Sequence, residues 1–191
     1  MTLEAWNTLA TFGTFVVISA TAIAAIVQLR HARGSNQIAV INELRETTFG
    51  APMQEAQHVV STQLRVKLQD PEFRRQYADR SLRTDENRRI IAAASMLGNF
   101  YETMGVLVKS GLVDRKLALD IWSGNVVDTW NALAPALLLL RRAQDALIWE
   151  NFEYLTVLSQ DWLVAHAGGT YPPGIRRIVL DEQPAAEQPD A

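Results

Sequence analysis

Hydrophobic and polar positions divide the chain into two unequal parts. Across residues 5–29 no side chain is charged, and the inner stretch is apolar or small throughout, with Phe12, Phe15, Val16, Val17, Ile18, Ile23, Ile26 and Val27. A helix of that length reaches roughly 37 Å, against a bilayer core of about 30 Å. Trp6 stands near one edge, where an amphipathic ring favours the headgroup level. Arg30, His31 and Arg33 end the run at the other edge. The pattern predicts a transmembrane helix over residues 8–30, in contact with a lipid bilayer. A cleaved signal peptide would carry basic residues before a shorter apolar core, whereas here only Glu4 precedes the run. A soluble core helix of this length would show a polar face. Arginines on the C-terminal side alone place the N-terminus outside and the bulk of the chain in the cytoplasm. That makes the chain a single-pass protein of the cytoplasmic (inner) membrane. Ala20 with Ala24, and Thr21 with Ala25, put small residues four apart, a spacing that lets two spans approach closely.

The remainder alternates at helical intervals, with no strand pattern. Ile38, Ile41 and Leu44 recur every three residues, so 31–50 reads as a juxtamembrane helix, with Gly34-Ser35 a point where it breaks or loosens. Gly50-Ala51-Pro52 is a turn into a helix ending near Leu68 and carrying Met53, Ala56, Val59, Val60 and Leu64. Asp70-Pro71-Glu72 opens a short helix through Tyr77, and Thr84-Asp85-Glu86 opens the best one. Its stripe is Ile90, Ala93, Ala94, Leu97, Phe100, Tyr101, Met104 and Leu107/Val108, and Gly111 stops it. Asp114 caps the next, with Leu117, Leu119, Ile121 and Trp122 as its apolar positions, and Gly124-Asn125 reads as a break. Residues 126–144 follow, bent at Pro135, and the last helix carries Leu147, Ile148, Phe152, Leu155, Leu158, Trp162 and Leu163 up to Gly168-Gly169. The uncharged stretch 129–140 is too short for a second span and reads as a buried core helix. The expected fold is therefore all-α: a short extracytoplasmic end (1–7), the span (8–30), the juxtamembrane helix (31–50), a cytoplasmic bundle of about five to seven helices (51–169) and a largely disordered tail (170–191), whose last residues hold no aliphatic side chain larger than alanine.

Composition narrows the chemistry. The net charge is −3, so no nucleic-acid partner is expected. The chain has no cysteine, which excludes disulfides, thiolate metal sites and cysteine nucleophiles. His31, His58 and His166 lie far apart in sequence, and no HExxH, nucleophile-elbow or phosphate-loop motif occurs. No metal, cofactor or catalytic residue is therefore assigned.

Two features are candidates for interaction or ligand binding. Arg74, Arg75, Arg80, Arg83, Arg88 and Arg89 outnumber Asp79, Asp85 and Glu86. They suit anionic headgroups or an acidic partner, or equally a solvated face with local ion pairs. Tyr101 and Glu102 sit in the most apolar helix of the soluble part. Helix geometry puts Glu102 on one side with Gly98, Gly105 and Val106, beside the stripe. A half-buried carboxylate there serves either as a ligand residue or in a bridge between helices, with Arg141 or Arg142 the available partners. The glycines favour close helix packing.

The span ending in Arg30-His31-Ala32-Arg33, the segment Asn99-Phe100-Tyr101-Glu102 with Gly105, and Gly111-Leu112-Val113-Asp114 followed by Trp122 resemble a bacterial family of small single-pass membrane proteins defined only as a domain of unknown function. The resemblance covers about residues 5–160. It implies one anchor and a helical cytoplasmic domain, and carries no activity. The reading that follows is a membrane-anchored interaction or scaffold module, assembling with itself or a membrane-protein partner. The alternative is a membrane-tethered small-molecule sensor with its ligand near Glu102, and an enzyme is not expected.

Overall fold

In a computed structural model the chain is described over residues 3–178, side chains excepted at 3–11, 13, 16, 29–33, 35 and 36. Among the described residues it is all helical. Helix α1 is Leu3–Phe49, α2 Ala51–Val59, α3 Arg65–Lys67, α4 Pro71–Ala78, α5 Asp85–Lys109, α6 Arg115–Ala143 and α7 Glu150–Ala165. A π-helical turn, Val60–Leu64, joins α2 to α3, and a 3-10 turn, Arg80–Leu82, lies between α4 and α5.

Helix α1 has 47 residues, about 70 Å at 1.5 Å per residue. It runs through Gly34 and Ser35 without the break the sequence allowed; nothing lies near the Gly34 Cα that would require a kink. It meets the domain chiefly at its C-terminal end, against α2. Ile41, Leu44 and Thr48 are buried there, and the Thr48 hydroxyl donates to the Leu44 carbonyl (2.7 Å). Ile38, expected in the same stripe, is 63% exposed, because at that level the covered face runs through Gln37, Val40 and Ile41 and Ile38 lies off it.

Helix α5 is the centre of the domain. Ile90, Ala93, Ala94, Leu97, Tyr101, Met104 and Val108 are all buried, the stripe predicted from spacing, and Phe100 and Leu107 pack against it half-buried. α7 lies on both α5 and α6, α2 lies on α5, and α4 on α6. Among the described residues α5 is the helix long and apolar enough to cross a membrane, but half of that stretch is buried inside the domain, as a core helix requires.

The helix ends follow the local chemistry. Asp70 and Asp114 accept from the backbone N–H of Glu72 and Leu117, each at 2.9 Å. Gly111 takes φ +72°, and the N–H groups of Leu112 and Val113 turn back onto the Leu107 carbonyl, closing α5. Thr84 opens α5 without capping it directly. Its hydroxyl donates to the Gln76 side-chain oxygen (3.0 Å), which also accepts from Asn87 Nδ2 (2.9 Å), so a buried glutamine ties α4 to the start of α5.

Two expected boundaries are corrected. α6 passes through Gly124-Asn125 unbroken, since Trp122, Val126, Thr129 and Leu133 keep one buried stripe across them. The stretch 129–140 is part of this core helix. The last helix starts only at Glu150, so Leu147 lies in the preceding turn and is 64% exposed; Leu163, on the outer face, is also exposed. Residues 170–178 are irregular, and the expected tail beyond 178 lies outside the described residues, as does Thr2-Met1 at the other end.

Tyr77 is fully buried, and its hydroxyl has no hydrogen-bond partner among the described residues. Burial pushes its pKa well above the ordinary value, and Arg83 draws it back in part. The folded chain thus keeps a proton that the unfolded chain releases above about pH 10. Stability contributed by the protonated tyrosine is complete below pH 10 and falls as pH rises beyond it, by about 1.4 kcal/mol per pH unit. Denaturation curves from pH 8 to 11.5 should show this loss, and Tyr77→Phe should reduce it, the remainder coming from the other buried tyrosine, Tyr101.

Candidate functional site

The residues singled out around Glu102 form a seam between α5 and α7. Gly98 and Gly105 bring the two elements together. A Cβ on Gly98 would stand 2.0 Å from the Trp149 ring, and one on Gly105 would stand 2.1 Å from the Asn151 carbonyl oxygen. Between them Glu102 reaches the first turn of α7. Asn151 Nδ2 donates to Glu102 Oε1 (2.7 Å) and the Phe152 backbone N–H donates to Oε2 (2.8 Å). Tyr101 stacks on Phe152 with ring centroids 5.1 Å apart and planes 20° from parallel.

Trp149 occupies the N-cap position of α7 with φ +56°, a conformation a bulky side chain rarely takes. It is fixed from three sides. Its indole N–H donates to Asn99 Oδ1 (3.0 Å), its ring covers Gly98, and Arg141 donates to the Ile148 carbonyl beside it (2.9 Å). Tryptophan has no side-chain acceptor to cap a helix, so the carboxylate of Glu102 does so from the neighbouring helix. The bridge between helices expected of Glu102 exists, but its partners are the α7 N-terminus rather than Arg141 or Arg142. Arg141 pairs with Glu153 instead (2.6 Å).

The arginines do not converge. Arg75 pairs with Glu72, Arg88 with Asp85 (2.8 Å), and Arg89 with Glu55 on α2. Arg74 donates to the Leu68 carbonyl (3.3 Å) and Arg83 to that of Gln76 (3.4 Å). Arg75, Arg88 and Arg89 are each about two-thirds exposed or more, so these pairs are the solvated kind that contribute little.

A groove of about 400 Å³ lies elsewhere, between α2 with its π turn on one side and α6 on the other. Gln54, Gln57 and His58 face Asn125, Asp128 and Thr129 across it, with Leu97 of α5 at the base. Glu102 lines neither this groove nor two shallower hollows, one against Asp114 and Trp162 and one against Asp79 and Gln144. One turn along α5 from Leu97, Tyr101 lies fully buried beneath Thr129. Thr129 approaches its hydroxyl without meeting hydrogen-bond geometry, so that oxygen has no partner among the described residues. Burial raises its pKa, the Thr129 hydroxyl beside it draws it back in part, and the Asp128 carboxylate adds a smaller rise. The π turn that lines one wall is an irregularity common beside binding sites. The Ser61 and Thr62 hydroxyls both donate to the His58 carbonyl there (3.0 and 2.7 Å).

Sequence reasoning passed over these groove residues. Their signal was a polar stripe at helical intervals, Gln54, Gln57, His58 and Ser61 on one helix and Asn125 and Asp128 on the other. Only the packing of α2 and α6 on α5 brings the two stripes together.

The chain belongs to the family described as Domain of unknown function (DUF4760), which matches residues 15–159. That match runs from within α1 to near the end of α7, so the later part of the apolar run and the bundle fall in one family unit. No curated protein and no solved structure shows significant similarity to the chain.

Proposed function

We propose that the chain is a membrane-tethered helical interaction module, with residues 8–30 crossing the bilayer once and the domain held at the inner leaflet. One observation carries this reading. Phe12, Phe15, Val17, Ile18, Ile23, Ile26 and Val27 are 46–67% exposed on a helix that the domain does not cover. At about 25 cal/mol per Å² of apolar surface, leaving them in water forgoes on the order of 10 kcal/mol of burial. A bilayer supplies the missing environment, and the uncharged run of residues 5–29 matches its thickness. Arg30 and Arg33 after the run, with no Lys or Arg before it, favour an outside N-terminus.

The interaction role is supported by apolar side chains left open on α7, Val157 (51% exposed) and Val164 (79%). The continuity of α1 supports rigid mounting, so that domain and span would move together.

In isolated membranes the full chain should stay in the pellet through an alkaline carbonate wash, and Ile18→Arg with Ile23→Arg should release most of it. Release of the unmodified chain would refute the span. The chain has no cysteine, so Thr2→Cys and Ala191→Cys report sidedness without background. An impermeant thiol reagent should label Thr2→Cys and spare Ala191→Cys in intact cells. Native mass spectrometry of the gently extracted chain should then show a defined homo-oligomer or a bound membrane protein.

A further inference from the structure

We propose that the groove between α2 and α6 binds a small organic ammonium compound, a protonated amine on a short carbon skeleton, with Asp128 as its counter-ion. The lining has one formal charge, the Asp128 carboxylate, and no Lys or Arg. Among the described residues Asp128 has no ion-pair partner, so its charge is open to a cation entering the groove. Around it stand amides and a hydroxyl, Gln57, Asn125 and Thr129, which can accept an ammonium's remaining protons. Behind the lining, beneath Thr129, the buried Tyr101 hydroxyl meets no partner in hydrogen-bond geometry among the described residues, a polar atom that a native core seldom leaves unsatisfied. The base, Leu97 and Val60, is apolar and suits a short hydrocarbon. A volume of about 400 Å³ falls in the range of small-molecule sites. A carboxylate ligand would meet Asp128 with like charge and find no cation. This site lies on the side of α5 away from Glu102, and its occupancy does not depend on how the chain is anchored.

The test uses the full chain in detergent micelles with n-butylamine as probe and n-butyrate and n-butanol as controls, at constant pH and ionic strength. Binding is read from thermal unfolding and from the methyl resonances of Leu97. The amine should raise the unfolding temperature saturably, with a Kd on the order of 1 mM, well inside the ceiling for a probe of so few atoms. It should also shift the Leu97 methyl signals, while butyrate does neither. Asp128 is exposed, so Asp128→Asn should unfold at the same temperature as the parent and bind the amine about tenfold more weakly or worse. The proposal is overturned by any of three results: no saturable effect of the amine, an equal effect of butanol or butyrate, or full affinity in Asp128→Asn.

Discussion

Gly105→Ala is expected to destabilise the domain by about 3 kcal/mol, at the upper end of overpacking costs. The new Cβ would fall 2.1 Å from the Asn151 carbonyl oxygen and 2.6 Å from its carbonyl carbon. Those atoms are backbone, in the first turn of α7, and cannot rotate aside. To make room, α7 must shift as a body, which strains the Glu102 hydrogen bonds and the Tyr101–Phe152 stack together. Gly98→Ala should also destabilise, since its Cβ would meet the Trp149 ring, which its hydrogen bond to Asn99 holds in place. Gly124→Ala provides the opposite sign. It lies inside α6 with nothing within 4 Å of the added Cβ, so the gain in helix propensity should stabilise by about 0.5–1 kcal/mol. Urea denaturation of the three variants decides the matter. Equal stability of Gly105→Ala and the parent would mean that α5 and α7 are not packed as described.

That contrast shows which features were legible in the sequence. The apolar stripe of α5 was readable because Ile90, Leu97, Tyr101 and Met104 recur at the helical period, and burial of that face is what the period encodes. Asp70, Asp114 and Gly111 were readable because a cap acts within three or four residues. Gly124-Asn125 misled for a related reason. Local propensity favours a break there, yet Trp122 and Val126 bury the opposite face and tertiary packing overrides it. The partner of Glu102 lay beyond local reasoning, since Asn151 and Phe152 are about 50 residues further on. Arg141 was the plausible charge partner, but it is committed to Glu153 and the Ile148 carbonyl. The groove was less legible still. It is made by two exposed polar stripes, and an exposed polar residue gives the same signal whether it faces solvent or another helix. One of the segments in which the resemblance was read, Asn99-Phe100-Tyr101-Glu102 with Gly105, acts as one device. Asn99 holds Trp149, Tyr101 holds Phe152, Glu102 holds the α7 N-terminus, and Gly105 leaves the space.

Glu102→Ala should therefore cost about 3 kcal/mol, with Glu102→Gln intermediate at about 1 kcal/mol. The carboxylate accepts two hydrogen bonds at a helix N-terminus, one of them from the Phe152 N–H, which is the third of α7. Hydrogen bonds to a charged acceptor contribute about 1.5–3 kcal/mol, and a negative charge at this end of a helix adds a few tenths more. Alanine removes the acceptor and leaves the Phe152 N–H, in a buried residue, without the partner that Trp149 cannot replace. Glutamine retains one oxygen and can satisfy that N–H, but its amide nitrogen then faces the Asn151 amide, so one bond and the charge are lost. If Glu102 instead served a ligand, both variants would unfold like the parent and differ only when the ligand is present. Backbone hydrogen exchange separates these accounts. The structural role demands faster exchange in the first turns of α7 in Glu102→Ala, with α2 and the groove wall little changed. A loss of protection spread evenly over the domain, or none at all, would show that Glu102 does not hold this helix end.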